Sequence, residues 1–430
     1  MYINIEEETN KIPSGKVTIS GAKNAATRLQ AASLISDEKI TLSNFPTELV
    51  DANHKLAFIQ NVNGKASFDH DSELCVTEPG ELSGEIISSY DYPIRTTYLL
   101  VPGLLKRAGI ARIPYPGGCK IGQRGYDLHI MVWKKLGAEV EEKNEFIEIT
   151  ADRLIGNEIN FPFSTIGGTE SALICASIAE GKTEIRNAYI SPEVDCLIQF
   201  LRTIGVHINV IGNSYIEVTG EPYLRGTTFK VIPDRIEALT WIIYGALSGG
   251  EILIDQVPFQ DMEVPLIHLK EAGIDYYQNT NSLYITPDCV KNGIQPFELA
   301  TGTHPGTISD MQPFFVLLGL KANGISRIFD YRYPERTAYL EELKKFCNTG
   351  LKWESGKITT TGKCNFYGAE ASSTDLRGSM AILLAGLLAE GGESKIYGAE
   401  MALRGYNRLQ EKLRGLGVEV EVNEEEPVAK

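Results

Sequence analysis

Residues 116–124 read PGGCKIGQR, a thiol at Cys119 set behind two glycines, with Lys120 beside it and Arg124 five positions on. A sulfur placed in this way can give or take a proton or attack an electrophilic carbon. Nearby cations lower a thiol's pKa and exclusion of water raises it, so the sequence leaves open whether Cys119 works as thiol or thiolate. Most cysteines are small apolar residues, and a glycine-rich stretch is ordinarily a turn. Cys119 is the one of the seven cysteines that lacks apolar neighbours or an ordinary element around it. SGAKNA (20–25) offers Lys23 and Asn24 next to Gly21 at an expected helix start, where the positive helix end favours an anion, although a lysine there is more often merely solvated. THPGTISDMQ (303–312) puts Asp310 just ahead of an apolar helix, the place of an N-cap and equally of a carboxylate that deprotonates a hydroxyl. Arg95 in YPIRTT, Arg377 in TDLRGS and Arg404 in ALRGYNRL supply guanidinium forks suited to phosphate or carboxylate oxygens. Each alone reads as a surface arginine; together they read as converging contacts to an anion.

Groups this far apart along the chain need a scaffold to bring them together, and the sequence repeats itself in a way that describes one. An apolar helix, a glycine-containing turn and a short β-like run recur at 22–42, 92–113, 167–185, 235–254, 309–328 and 375–396. A second element is an amphipathic helix ending near glycine and running into a hairpin. Its clearest copy is 128–150, where Leu128, Met131, Val132 and Leu136 share a face, Asp127 is placed as N-cap and Gly137 as the residue just past the helix. Related copies fall at 197–219, 268–286, 340–360 and 409–422, with a weaker one at 54–76. Units of about 70 residues cannot each bury a core alone, so they must pack together, three to each half, with a break near 227–237.

With 430 residues and 43% hydrophobic content, the chain has material for two or three ordinary domains. The longest apolar runs, such as MAILLAGLLA (380–389), are too short to span a bilayer, and the N-terminus lacks a basic start and apolar core, so a soluble cytoplasmic enzyme is expected. The odd cysteine count, without CxxC or Cys/His spacing, points to neither a disulfide framework nor a structural metal. A net charge of −15 argues against nonspecific nucleic-acid binding, so an anionic ligand needs a local cationic pocket.

SGAKNA, PGGCKIGQRGYDLH, IGGTES, PDRIEA, HPGTISDMQ, TDLRGSMAILLAG and RGYNRLQEKLRGLGVEVE, in this order, resemble the enolpyruvyl transferases, specifically the branch acting on UDP-N-acetylglucosamine. The sister branch making 5-enolpyruvylshikimate 3-phosphate shares the fold but lacks the cysteine loop. The resemblance implies a two-domain inside-out α/β barrel, each domain of three pseudo-symmetric repeats, with residues 21–230 forming one domain and 1–20 plus 231–430 the other, across an active-site cleft. The implied reaction adds the acceptor's 3-hydroxyl to C2 of phosphoenolpyruvate and then eliminates phosphate, a step of peptidoglycan precursor synthesis. By the same resemblance Cys119 is the proton donor and Asp310 the base. Lys23, Arg124 and Arg404 grip phosphoenolpyruvate, with Arg95 and Arg377 in support. Asn24 and Asp310 contact the amino sugar, and the segments Arg124, Gly125, Tyr126, Asp127, Leu128 and Ser164, Thr165, Ile166, Gly167 hold the uridine diphosphate. The glycines beside Cys119 hinge a lid over the substrate. Neither metal nor organic cofactor is implied, and the partners are small molecules, with no nucleic acid and no membrane.

The match departs from the family pattern where substrate identity is read. Thr27 and Arg28 stand where the family usually has Leu-Pro, Gly125 and Tyr126 where it has Pro-Val, Ser171 replaces an asparagine, Thr307 and Ile308 replace Phe-Pro, and Leu239 a small residue. The acceptor therefore stays open between UDP-N-acetylglucosamine and another nucleotide sugar or nucleoside. A noncatalytic binding relative is the third reading, disfavoured because Lys23, Cys119, Arg124, Asp310 and Arg404 are all present.

Overall fold

The computed structural model describes residues 1–9, 12–84, 96–115, 125–347 and 350–424. Arg95, Cys119, Arg124 and the segment expected to form a lid lie outside the described residues. The described chain divides into two compact units, one built from Met1–Ser20 and the chain from Pro233 onward, the other from the chain between Gly21 and Ile232.

Within each unit one sheet plan recurs. Strand Glu158–Thr165 lies parallel to Lys182–Ala188, which pairs antiparallel with Tyr215–Thr219, itself antiparallel to His207–Ile211. The same order holds for Thr227–Lys230, Ile40–Ser43, Leu74–Glu78 and Lys65–Asp69. In the other unit it holds for Ser14–Thr18, Glu251–Asp255, Ser282–Ile285 and Tyr277–Gln278, and for Glu298–Thr301, Ile325–Asp330, Lys357–Thr361 and Leu351–Glu354. It holds again for Glu370–Ser372, Ser394–Tyr397, Tyr2–Ile5 and Glu421–Asn423, where the first strand of the chain sits between two of the last. Ile110–Pro114, Phe146–Thr150 and Glu139–Glu142 form a sixth sheet, three-stranded among the described residues.

The two helix types of the repeat take opposite places, and composition is the reason. A helix apolar on every side has no face to offer water and must be interior. All twelve residues of Leu376–Leu387 are buried, as are nine of the ten in Gln312–Lys321 and ten of the twelve in Ile166–Ser177. The amphipathic helices bury one stripe: in Asp127–Lys135 His129, Val132 and Trp133 are buried while Leu128 and Met131 only flank the core. Helices inside and sheets around them make each unit an inside-out α/β barrel of three repeats. Among the described residues no helix is long and apolar enough to cross a membrane.

One end of the Asp127 helix differs from expectation. Asp127 is its first residue and Tyr126 its N-cap, without a side-chain cap, because the carbonyl of Tyr126 already accepts from the Ile130 amide and closes the first turn. Gly137 does adopt the left-handed conformation past the helix end, its amide bonded to Lys134.

Candidate active site

In the Gly21–Ile232 unit, helix Lys23–Ala32 begins two residues after Gly21, with Ala22 as its N-cap; a larger residue could not replace Gly21, since a Cβ there would stand 1.9 Å from the Asn44 carbonyl oxygen. This close approach fixes where the helix starts, and so where Lys23 and Asn24 emerge. Lys23 Nζ pairs with Asp51 Oδ2 at 2.9 Å, both side chains mostly buried. One turn on, Arg28 Nε donates to Glu170 Oε1 at 2.9 Å, and Arg28 Nη1 reaches Asn24 Oδ1 at 3.4 Å and Thr27 Oγ1 at 3.1 Å. Burial alone would lower the Arg28 guanidinium, but Glu170 and Tyr98 more than offset it; burial raises the Glu170 carboxyl even with Arg28 against it. Beneath them Lys55 is fully buried, its Nζ donating to the carbonyls of Thr27 at 2.9 Å and Thr96 at 3.3 Å, and burial holds its amine well below the ordinary value.

The two segments expected to hold a nucleotide meet in this unit through an aromatic cluster. Tyr98 stacks on His129 with ring centroids 3.7 Å apart, and a Cβ on Gly167 would stand 2.9 Å from Tyr98 Oη and 3.2 Å from His129 Cε1. Tyr126 is buried, edge-on to both rings, its hydroxyl 2.8 Å from Thr97 Oγ1. Thr165 caps helix Ile166–Ser177 by accepting from the Gly168 amide at 3.3 Å, which sets Ser164 to Gly167 at a strand-to-helix corner. Gly125 and Asp127 remain exposed, and Leu128 is half-buried.

In the other unit Asp310 occupies a single 3₁₀ turn, Ser309–Met311, and is not the N-cap of that turn or of helix Gln312–Lys321, whose N-caps are Ile308 and Met311. Its carboxylate is held instead by Arg336 Nη1 at 2.8 Å. Arg336 Nη2 donates to Asp375 Oδ1 at 2.5 Å, and Asp375 in turn caps helix Leu376–Leu387 through the amides of Arg377 and Gly378. Arg377 is buried with Nε 3.8 Å from Asp310 Oδ2 and Nη2 3.7 Å from Asp234 Oδ2, its guanidinium carbon 5.2 Å from the Tyr406 ring centre. Burial would lower both guanidiniums; Asp375 and Asp310 hold Arg336 above its ordinary value, and Tyr406, Asp234 and Asp310 hold Arg377 there. Arg404, buried, ends the short helix Glu400–Leu403, and the carbonyl of the following Gly405 accepts from Arg377 Nη1 at 3.3 Å.

The structure thus groups Lys23 and Asn24 on one helix start, the Gly125–Leu128 and Ser164–Gly167 segments around Tyr98, and Asp310, Arg377 and the Arg404 turn in one buried charge cluster. Arg336, Asp234, Asp375, Glu170 and Tyr98 escaped the sequence reading. Asp234 and Asp375 carry a legible signal, an aspartate just before an apolar helix in PDRIEA and TDLRGS. Arg336 and Glu170 sit in stretches that give no local sign of a buried charge.

The family model for EPSP synthase (3-phosphoshikimate 1-carboxyvinyltransferase) matches residues 8–413. A Campylobacter jejuni (strain RM1221) protein named UDP-N-acetylglucosamine 1-carboxyvinyltransferase is 35% identical over 423 residues, covering 97% of this chain and 98% of its own. A Koribacter versatilis protein of the same name is 35% identical over 413 residues, covering 94% and 93%. Among solved structures, the enolpyruvyl transferase NikO from Streptomyces tendae superposes with a TM-score of 0.87 at 22% identity over 98% of both chains. An EPSP synthase from Acinetobacter baumannii gives 0.76 at 16% identity, covering 98% of this chain and 100% of its own, so these two likenesses speak for the fold.

Proposed function

The chain belongs to the EPSP synthase family of enolpyruvyl transferases, and on that premise we propose that it moves the enolpyruvyl group of phosphoenolpyruvate to the 3-hydroxyl of UDP-N-acetylglucosamine, releasing phosphate. The observation that carries this acceptor is identity of about a third, over nearly the whole length, with relatives named for that reaction. The chemistry needs a base, an acid and fixed cations. Asp310 takes the proton of the hydroxyl, whose oxygen attacks C2, while Cys119 delivers a proton to C3 and a tetrahedral phospholactoyl ketal results. Loss of a C3 proton and cleavage of the C2–O bond to phosphorus then expel phosphate. Lys23, Arg124 and Arg404 neutralise the phosphate, Arg95 and Arg377 assist, and Asn24 with the Gly125–Leu128 and Ser164–Gly167 segments holds the sugar nucleotide. Arg336 supports the assignment of Asp310: its guanidinium fixes one carboxylate oxygen at 2.8 Å while the side chain stays 29% exposed, where a hydroxyl can reach it. In this reading the two units are the two catalytic domains, and the product feeds peptidoglycan synthesis in the cytoplasm.

A second reading, transfer to another nucleotide sugar or a nucleoside, draws on the buried Tyr126 and on Arg28, which pairs with Glu170, both at positions where the family pattern differs. Phosphate release from phosphoenolpyruvate, measured across UDP-N-acetylglucosamine, other nucleotide sugars, nucleosides and shikimate 3-phosphate, decides between them. Release with UDP-N-acetylglucosamine above all others is expected; preference for a different acceptor transfers the case to the second reading, and no release with any acceptor ends both.

A further inference from the structure

We propose that Arg28 is a positioning residue that fixes the side-chain amide of Asn24 as a hydrogen-bond donor toward the acceptor substrate. The inference rests on the reading of Asn24 as an acceptor contact. Asn24 and Arg28 stand four residues apart on helix Lys23–Ala32 and so share a face. The Arg28 fork is used on two sides: Nε on Glu170 Oε1 at 2.9 Å, Nη1 on Asn24 Oδ1 at 3.4 Å. Glu170, with a side chain only 1% exposed, sits on the interior helix Ile166–Ser177 and is a rigid anchor, its second oxygen taken by the Tyr98 hydroxyl at 3.3 Å. Thr27 completes the brace by accepting from Arg28 Nη1 at 3.1 Å while donating to the Lys23 carbonyl at 3.1 Å. The two residues that break the family pattern here thus belong to one network that ends on Asn24.

The chemical consequence follows from the asymmetry of a carboxamide, which accepts at oxygen and donates at nitrogen. With Oδ1 turned toward the guanidinium, the amide faces a ligand with its Nδ2 hydrogens, and no acceptor among the described residues takes them. The group they recognise on the acceptor is therefore an oxygen with a lone pair, a hydroxyl or carbonyl. Without Arg28 the amide can turn over and present the wrong atom.

The test is a mutant cycle on the full chain, read by phosphate release at varied acceptor and varied phosphoenolpyruvate. Arg28→Met/Glu170→Gln removes both buried charges together, which avoids stranding one, and keeps an acceptor for Tyr98. It is expected to raise the acceptor KM about tenfold, with kcat and the phosphoenolpyruvate KM changed less than about twofold. The same pair of changes made on Asn24→Ala is expected to add nothing further, because the effect passes through Asn24. Arg28→Lys, whose ammonium can hold Glu170 but lacks the fork, serves if the double variant does not fold, with the same expected split. An unchanged acceptor KM, an equal rise in the Asn24→Ala background, or a joint shift of kcat and both KM values overturns the proposal while leaving the proposed function standing. Absence of turnover by the unmodified chain with every acceptor overturns the function and this inference with it.

Discussion

Two buried charge clusters, one in each unit, are built from the same kinds of groups and are tied down differently. In the Gly21–Ile232 unit Lys23, Arg28 and Lys55 gather with Asp51 and Glu170, an excess of cations. In the other unit Asp234, Asp310 and Asp375 gather with Arg336 and Arg377 beside the Arg404 turn. This second cluster is anchored to the backbone, because Asp234 and Asp375 each cap an interior helix while also facing an arginine. The first cluster is tied mainly through side chains, Arg28 to Glu170, Asn24 and Thr27, Glu170 to Tyr98 and Lys23 to Asp51. A carboxylate that is both cap and counter-ion makes fold and chemistry inseparable, whereas the cations can change with little effect on where the helices begin.

Arg336→Ala puts the greatest strain on that contrast. It leaves Asp375 buried without its arginine and takes from Asp310 its 2.8 Å ion pair, and an uncompensated buried charge costs roughly 3–5 kcal/mol, so a large drop in the urea midpoint is expected together with loss of turnover. A stable, active Arg336→Ala protein would dissolve the distinction between the clusters. Asp234→Asn sharpens it: asparagine caps about as well as aspartate and the Arg377 contact is a long one at 3.7 Å, so a loss of about 1 kcal/mol or less is expected in the same denaturation experiment. A loss several times larger would show that charge, not capping, is the main role of Asp234.

Lys55 gives the smallest effect and the most specific one. Its folded amine titrates below the ordinary 10.5, so between the two values the unfolded chain binds more protons and stability rises with pH. Compared with Lys55→Met, the wild type is expected to gain stability as pH is raised from neutral toward 10.5, the two denaturation midpoints being measured side by side. A constant difference across that range would mean that Lys55 keeps its ordinary affinity for protons despite its burial.

What the sequence disclosed and what it withheld follow the same division. The interior helices announce themselves because an all-apolar run such as MAILLAGLLA has one place to go, and the amphipathic copies because their stripes mark an outer layer. Lys23 beside Gly21 and Asp310 ahead of its helix were visible for local reasons. The partners were not: Glu170 lies 142 positions from Arg28, and Arg336 lies 26 from Asp310, and no local period links them. Asp127 shows the finer limit, since a capping residue and a first-turn residue look alike until the first backbone bond is placed.

The strand Tyr2–Ile5, seated between Ser394–Tyr397 and Glu421–Asn423, sets an order of events during synthesis. The Gly21–Ile232 unit closes its own last strand, Thr227–Lys230, onto Ile40–Ser43, and has all its parts once that stretch leaves the ribosome. In the other unit Tyr2–Ile5 lacks both neighbouring strands until Ser394–Tyr397 is made, whereas Ser14–Thr18 has its partner, Glu251–Asp255, much earlier.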